Sequence, residues 1–326
     1  MQFDDRYQSD PARWGHSLAH LAEFVIPCLE AARARSVVEV GAFAGTLTRV
    51  LVDWAEQSGA RVTAIDPAPQ AELDRLAAER SALELMKQTS FEALPLIERP
   101  DAVIVDGDHN YFTVSEELRL IEERSQPDSM PLLLLHDVCW PHARRDDYFA
   151  PERIPPEHRL PLAGDGGGLF PGDPGLQPHG LPYPRSAARE GGPRNGVLTA
   201  VEDFVARHDD MRLAVIPAFF GLGVVWRREA PWAAELARIV DPYDGNPVLE
   251  RLESNRVYQI AAAHACRLEA AEVLERQERQ EALLARLADS SAFSVAERLS
   301  RLRHRAGIAT DQPVVSKAAI RSALAE

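Results

Sequence analysis

The chain has 326 residues, of which 45% are hydrophobic, and a formal net charge of −14. A chain of this length and apolar content can bury a large core, which argues against wholesale disorder. Its negative field disfavours nucleic acids and anionic membranes as partners. The three cysteines form neither a disulfide framework nor a zinc-ligand spacing. With no signal-peptide pattern and no apolar run of membrane-spanning length, the sequence predicts a cytoplasmic protein.

The first 140 residues alternate short apolar strands with amphipathic helices. A helical apolar pattern covers residues 18–29, with Pro27 as a point where the helix could kink. The pattern then predicts strands at 36–40, 61–65, 83–86, 101–105 and 131–135, with helices at 46–57, 70–81 and 114–123. This alternation predicts βαβ units, and therefore an α/β fold with a doubly wound, mostly parallel sheet.

The composition changes after the fifth strand. Residues 141–195 are rich in Pro, Gly, Arg and His, and such a long loop is either a lid over a site or an unstructured surface insertion. A helix at 195–208 and strands at 213–217 and 221–226 follow, and the two strands are expected to close the sheet as an antiparallel hairpin. We therefore expect one domain over residues 1–228.

Residues 229–326 are predicted to form a helical C-terminal extension. A long helical region spans 248–288, a capping box at Ser294–Glu297 predicts the start of another helix, and a terminal helix is expected near Ser316. The extension carries no catalytic constellation. We expect it to mediate homo-oligomerisation, with docking onto a partner protein as the alternative.

The segment Glu39-Val-Gly-Ala-Phe-Ala-Gly45 lies where the first strand turns into a helix. Its glycine spacing differs from the Gly-x-Gly-x-x-Gly of nicotinamide-binding folds, which argues against a dehydrogenase. Gly41 and Gly45 would let a ligand approach the backbone, Glu39 suits a cationic amino-acid group, and Asp66 could accept both hydroxyls of a ribose. The alternative is that Gly41 only forms a turn and Asp66 only caps a helix.

Two neighbouring strands each end in aspartate and histidine. Asp106-Gly-Asp-His109 follows the fourth strand and His136-Asp137 ends the fifth. Because ligands bind at the carboxyl edge of such sheets, these residues predict a metal or proton-transfer site. For a single histidine a structural role would be favoured, but two of them beside aspartates favour function.

In their order along residues 30–140, these motifs resemble the class I S-adenosylmethionine-dependent methyltransferases. The run Asp106–Tyr111 is similar to the Asp-Gly-Asp-His-x-Tyr signature of small-molecule O-methyltransferases, which include macrolide sugar O-methyltransferases and cephalosporin-hydroxylase-like relatives. The resemblance implies a Rossmann-like domain that binds S-adenosyl-L-methionine. The implied cofactor-binding residues are Glu39, Gly41, Ala42, Gly45, Asp66, Ser90 and Asp106.

The same resemblance implies a divalent cation, Mg²⁺ or Mn²⁺, held by Asp106, His136 and Asp137. His109 is then the catalytic base that deprotonates a hydroxyl of a small molecule, such as a sugar or a natural product. His136 departs from the usual acidic or amide residue at its position; it is a softer ligand, or else a second proton acceptor. Two alternatives stay open: a metal-independent N- or carboxyl-methyltransferase, and a non-catalytic cofactor-binding scaffold whose helical tail docks a partner.

Overall fold

The computed structural model describes residues 16–125, 130–308 and 316–324. The chain divides into two compact units, Met1–Ala263 and His264–Glu326. The absent signal-peptide pattern concerns residues that lie outside the described ranges. Among the described residues, none of the helices combines the length and the apolar character that crossing a membrane requires.

The first unit contains one sheet of seven strands within the described residues. The strands are β1 (Ser36–Val40), β2 (Arg61–Ile65), β3 (Leu83–Met86), β4 (Ala102–Val105), β5 (Leu132–His136), β6 (Met211–Ile216) and β7 (Leu222–Arg227). Their order is β3-β2-β1-β4-β5-β7-β6. The first five strands are parallel, and β7 is antiparallel to both β5 and β6. The predicted doubly wound, Rossmann-like sheet with a terminal antiparallel hairpin is confirmed.

Helices connect and cover the strands. They are α1 (Ala22–Ala31), α2 (Thr46–Ser58), α3 (Ala71–Glu79), α4 (Ser90–Ala93), α5 (Tyr111–Arg124), α6 (Val197–Val205), α7 (Ala233–Val240), α8 (Pro247–Asp289), α9 (Ser291–Arg305) and α10 (Lys317–Ala323). α1 contains Pro27 without ending there. α9 begins one turn earlier than the predicted capping box, because Ser290 is its N-cap and accepts a hydrogen bond from the Phe293 amide; the capping-box prediction at Ser294 was wrong.

The core lies on both faces of the sheet. Successive side chains of a strand point to opposite faces, so Val103 and Val105 join one apolar cluster while Ile104 joins the other. The apolar residues of β4 and β5 are all buried. This two-sided burial explains why these strands are continuous apolar runs whose polar residues appear only at the carboxyl edge.

One glycine allows two loops to come into close contact at the carboxyl edge of the sheet. Gly41 follows β1 with φ of 89°, and a Cβ added to it would lie 2.1 Å from the carbonyl oxygen of Asp106. No residue with a side chain fits there. The loops after β1 and β4 therefore touch through their backbones.

The Pro- and Gly-rich segment 141–195 is pinned by buried polar side chains. The Arg145 guanidinium is fully buried and donates hydrogen bonds to the Ala187 and Pro174 carbonyls at 2.7 and 3.0 Å. The Asp146 carboxylate accepts hydrogen bonds from the Tyr111 and Gly196 amides at 2.8 and 2.7 Å. These contacts tie the segment to the N-terminal ends of α5 and α6, beside the polar edge of the sheet.

The first compact unit continues past the last strand of the sheet. Ala233, Leu236 and Val240 of α7 belong to the first unit and to its core, because they pack into the same apolar cluster as the sheet. The domain boundary after residue 228 stays a prediction. The second unit, described by itself, consists of the C-terminal part of α8 together with α9 and α10.

Candidate active site

A cavity of about 650 Å³ opens at the carboxyl edge of β1, β2 and β4. Six of the predicted site residues line it together: Glu39, Gly41, Ala42, Asp66, Ser90 and Asp106. His109 lines it too. Gly45, His136 and Asp137 are not among its lining residues; Gly45 is instead the N-cap of α2, with φ of 77°. The cavity therefore joins most of the predicted cofactor residues to the predicted base.

Glu39 is a deeply buried acid of the cavity wall. It is 2% exposed, and its Oε2 atom has no hydrogen-bond partner among the described residues. Burial raises the pKa of its carboxyl group to about 8, against the opposite effect of the nearby Thr48 side chain. An unpaired buried carboxyl group gains stability when a cation approaches it. Glu39 can therefore bind a cationic group of a ligand in the cavity.

Asp66 ends β2 with both carboxylate oxygens occupied by backbone amides. Oδ2 accepts from Phe43 at 2.7 Å and Oδ1 from Ala68 at 2.8 Å. These bonds fix the carboxylate at the cavity wall, where each oxygen keeps a further lone pair for a ligand hydroxyl.

Ser90 is held at the cavity by a capping box. The Thr89 amide donates to Glu92 at 3.0 Å, and the Thr89 side chain accepts from the backbone of Glu92. This arrangement starts α4 immediately after the loop that follows β3, so Ser90 lies at the edge of the sheet beyond Asp66.

Two carboxylates and two imidazoles meet at the ends of β4 and β5. The Nε2 atom of His109 lies 3.1 Å from Oδ2 of Asp137 and 3.6 Å from Oδ1 of Asp106. The Nδ1 atom of His136 lies 3.0 Å from the same Asp106 oxygen and 3.3 Å from the same Asp137 oxygen. The sequence prediction that these four side chains lie together holds in the structure.

The charges of this cluster support one another. Burial alone would lower the pKa of His109, but Asp137 and Asp106 outweigh it and raise that pKa to about 10. The pKa of His136 is likewise raised well above its usual value by Asp106 and Asp137, despite burial. Burial would raise the pKa of Asp137, but the two histidines lower it. As it stands, the cluster holds paired carboxylates and imidazolium groups.

His136 is oriented from its other side by a loop between β6 and β7. Its Nε2 atom donates to the Phe219 carbonyl oxygen at 2.9 Å, since a carbonyl only accepts. The amides of Phe219 and Phe220, two residues with positive φ, donate to the Glu253 carboxylate at 3.1 and 2.8 Å. Glu253 on α8 thus holds the loop that fixes the His136 ring.

The sequence analysis did not assign several of the residues that the structure places at the site. His142 is 5% exposed, and its ring stacks on His109 with centroids 5.2 Å apart. Phe149 and Arg153, from the segment 141–195, line the cavity, as does Glu117 on α5. Of these residues, only Glu117 could have been noticed in the sequence. It interrupts the apolar face of its helix, which is formed by Val114, Leu118 and Ile121.

The strand order agrees with the fold that the sequence predicts. Seven strands in the order 3-2-1-4-5-7-6, with a cavity at the ends of β1, β2 and β4, form a Rossmann-like sheet. Residues 38–138 match the family model of a methyltransferase domain. This part of the chain, which includes β2 to β5, is therefore similar to a methyltransferase domain.

Solved structures that resemble the chain are distant. They include the Podospora anserina methyltransferase PaMTH1 bound to S-adenosylhomocysteine, 14% identical over 70% of this chain and 98% of that chain, with a TM-score of 0.41. A methyltransferase from Geobacter sulfurreducens is 12% identical over 64% and 77%, with a TM-score of 0.35. Human N-acetylserotonin methyltransferase in complex with S-adenosylmethionine is 14% identical over 68% and 56%, with a TM-score of 0.38. A comparison with curated protein sequences gives no match.

The raised pKa of Glu39 predicts that cofactor binding depends on pH. If the Glu39 carboxylate pairs with the ammonium group of S-adenosylhomocysteine, binding below pH 8 releases a proton from Glu39. Affinity should then rise by up to about tenfold per pH unit between about pH 6 and pH 8, and flatten above. Calorimetric titration would measure this. Glu39→Gln should show a flatter dependence, and identical slopes for both proteins would contradict the assignment.

Proposed function

We propose that this protein is an O-methyltransferase that transfers the methyl group of S-adenosylmethionine to a hydroxyl of a small molecule, such as a sugar or a natural product. One observation carries the proposal: a single cavity is lined both by Glu39 and Asp66, which suit the cofactor, and by Asp106 and His109, which suit a proton transfer. A cavity of about 650 Å³ is within the usual size of small-molecule sites.

Methyl transfer requires little of the protein except that it positions the acceptor and removes a proton from it. Methyl transfer from a sulfonium is an in-line displacement, so the protein must align the acceptor oxygen and take its proton. Glu39 would hold the amino-acid group and Asp66 the ribose, which points the methyl group along the cavity towards His109. In this proposal His109 receives the proton in its neutral form, and Asp137 fixes its ring and stabilises the charge that it gains. A cation held by Asp106 and Asp137 would favour that neutral form, because it would offset the carboxylate charges that raise the pKa of the ring.

The predicted metal ligands fit a divalent cation. Ligand atoms of Asp106, His136 and Asp137 all lie within 4.8 Å of one another. His136 gives its Nε2–H to the Phe219 carbonyl, as metal-ligating histidines commonly do, which aims Nδ1 at the two carboxylates. When bound, such a cation would supply positive charge that lowers the pKa of a nearby hydroxyl. The nitrogen ligand favours Mn²⁺ over Mg²⁺. In this role His136 is a ligand rather than a second proton acceptor.

Replacing His109 by alanine should separate turnover from cofactor binding. Removal of the base is expected to lower kcat by about 10²- to 10⁴-fold, while the Kd for S-adenosylhomocysteine changes by less than about threefold. His208→Ala, which removes an imidazole paired with Glu122 outside the cavity, is the matched control and should leave kcat unchanged. Loss of turnover and of cofactor affinity together would make His109 a structural residue.

Chelation tests the cation directly. Prolonged treatment with a chelator should abolish methyl transfer, and Mn²⁺ should restore it more fully than Mg²⁺. Electron paramagnetic resonance of added Mn²⁺ gives a readout independent of activity: wild-type protein should bind the ion, and Asp137→Asn should bind it at least about tenfold more weakly. Activity that survives chelation would favour metal-independent transfer to an amine or a carboxylate.

The helical extension supports the proposal that the protein forms homo-oligomers. Val295, Leu299 and Leu302 follow one another at helical spacing on α9, and each is more than half exposed. Leu299→Glu should therefore shift the mass measured by light scattering towards the monomer. Ser300→Glu, which adds the same charge next to this stripe, should not. Equal masses for wild-type protein and both variants would contradict self-association through this face.

A further inference from the structure

Glu117 is a buried acid for which the proposed chemistry has no role. It lies on α5, is 1% exposed and lines the same cavity as Glu39 and Asp66. Its Oε2 atom has no hydrogen-bond partner among the described residues. A buried polar atom without a hydrogen bond destabilises the folded protein. This indicates that a group of a ligand hydrogen-bonds to Oε2 of Glu117.

The neighbours of Glu117 identify the part of the cavity. The Ser90 side chain lies close enough to Glu117 to lower the pKa of its carboxyl group. Thr113, one helical turn earlier on α5, and Phe91, next to Ser90, also line the cavity. Ser90 and Phe91 belong to the segment that follows β3, and Glu117 and Thr113 lie on α5, which follows β4. Because β3 lies beyond β2 in the sheet, the Ser90 side of this wall is beyond Asp66.

A cofactor held by Glu39 and Asp66 turns its base towards this wall. The amino-acid group belongs at Glu39 and the ribose at Asp66, so adenine is the remaining part of the nucleoside. We propose that Glu117 recognises the edge of adenine and accepts a hydrogen bond from its exocyclic amino group. This inference rests on the proposed orientation of the cofactor and does not depend on the acceptor or on a metal.

The protonation state of Glu117 fits a two-point contact. Burial raises the pKa of Glu117 to about 8, against the opposite effect of the nearby Ser90 side chain, so the carboxyl group favours its protonated form at neutral pH. A neutral carboxyl group accepts through one oxygen and donates through the other. Adenine offers a donor in its amino group and an acceptor in the adjacent ring nitrogen, so the two edges match.

A purely structural role for Glu117 leads to a different expectation. If its carboxyl group only supports Ser90 and the start of α4, removing it would weaken the binding of any ligand of the cavity to the same degree. If Glu117 recognises adenine, its removal should weaken only the binding of ligands that carry the amino group. The two roles are separated by comparing two ligands on two variants.

The experiment measures Kd by calorimetry for S-adenosylhomocysteine and for its analogue in which hydrogen replaces the adenine amino group. Wild-type protein should prefer S-adenosylhomocysteine by about tenfold or more. Glu117→Leu should bring this preference close to one, with the analogue bound as in wild type. Glu117→Gln, whose amide also accepts and donates, should keep most of the preference.

Other results overturn the inference. If wild-type protein binds both ligands equally, Glu117 does not read the amino group, whatever the variants do. If Glu117→Leu weakens both ligands by the same factor, or leaves the preference intact, its role is structural; in these cases the proposed methyl transfer stands. If wild-type protein binds neither ligand, both this inference and the proposed function fail.

Discussion

The backbone contact between Gly41 and Asp106 is the constraint on which the site depends. The approach is so close that a methyl group on Gly41 would overlap the Asp106 carbonyl. The contact joins the loop that follows β1 to the loop that follows β4, and the acids of both loops then face one cavity. Burial of the apolar residues of β4 on both faces of the sheet keeps these loops in register, because neither strand can slip without exposing its core residues.

Charge is arranged at this edge of the sheet in two different ways. At Glu39 and Glu117 single carboxyl groups are buried with an unpaired oxygen, and the pKa of each is raised to about 8. At the ends of β4 and β5, by contrast, two carboxylates share two imidazoles within 3.6 Å. The first arrangement suits binding of a polar or cationic ligand, and the second suits the holding and transfer of protons or a cation.

The parts of the fold that follow from local pattern could be predicted from the sequence. The parallel strands, the terminal hairpin and the meeting of Asp106, His109, His136 and Asp137 follow from apolar runs that end in polar residues. The start of α9 was misplaced by one turn, because Ser290 and Ser294 are both acceptable N-caps and only packing decides between them.

The remaining contacts depend on long-range packing, which no local pattern encodes. The stacking of His142 on His109 joins residues 33 positions apart, and it exists only because the segment 141–195 folds back on the site. The carboxylate of Glu253 caps a loop more than thirty residues earlier in the chain. Glu117 was visible as an acid on an apolar face, but such a residue is equally consistent with a solvent-exposed helix edge until the cavity is known.

The hydrogen bonds from Phe219 and Phe220 to Glu253 limit where the chain can be shortened. α8 runs without interruption from Pro247 to Asp289, so the same helix both supports the ring of His136 and leads into the C-terminal unit. A gene fusion or deletion that removed everything after the last strand would take away the carboxylate under the Phe219 loop. The support of the site therefore includes the first two turns of α8, which carry Glu253.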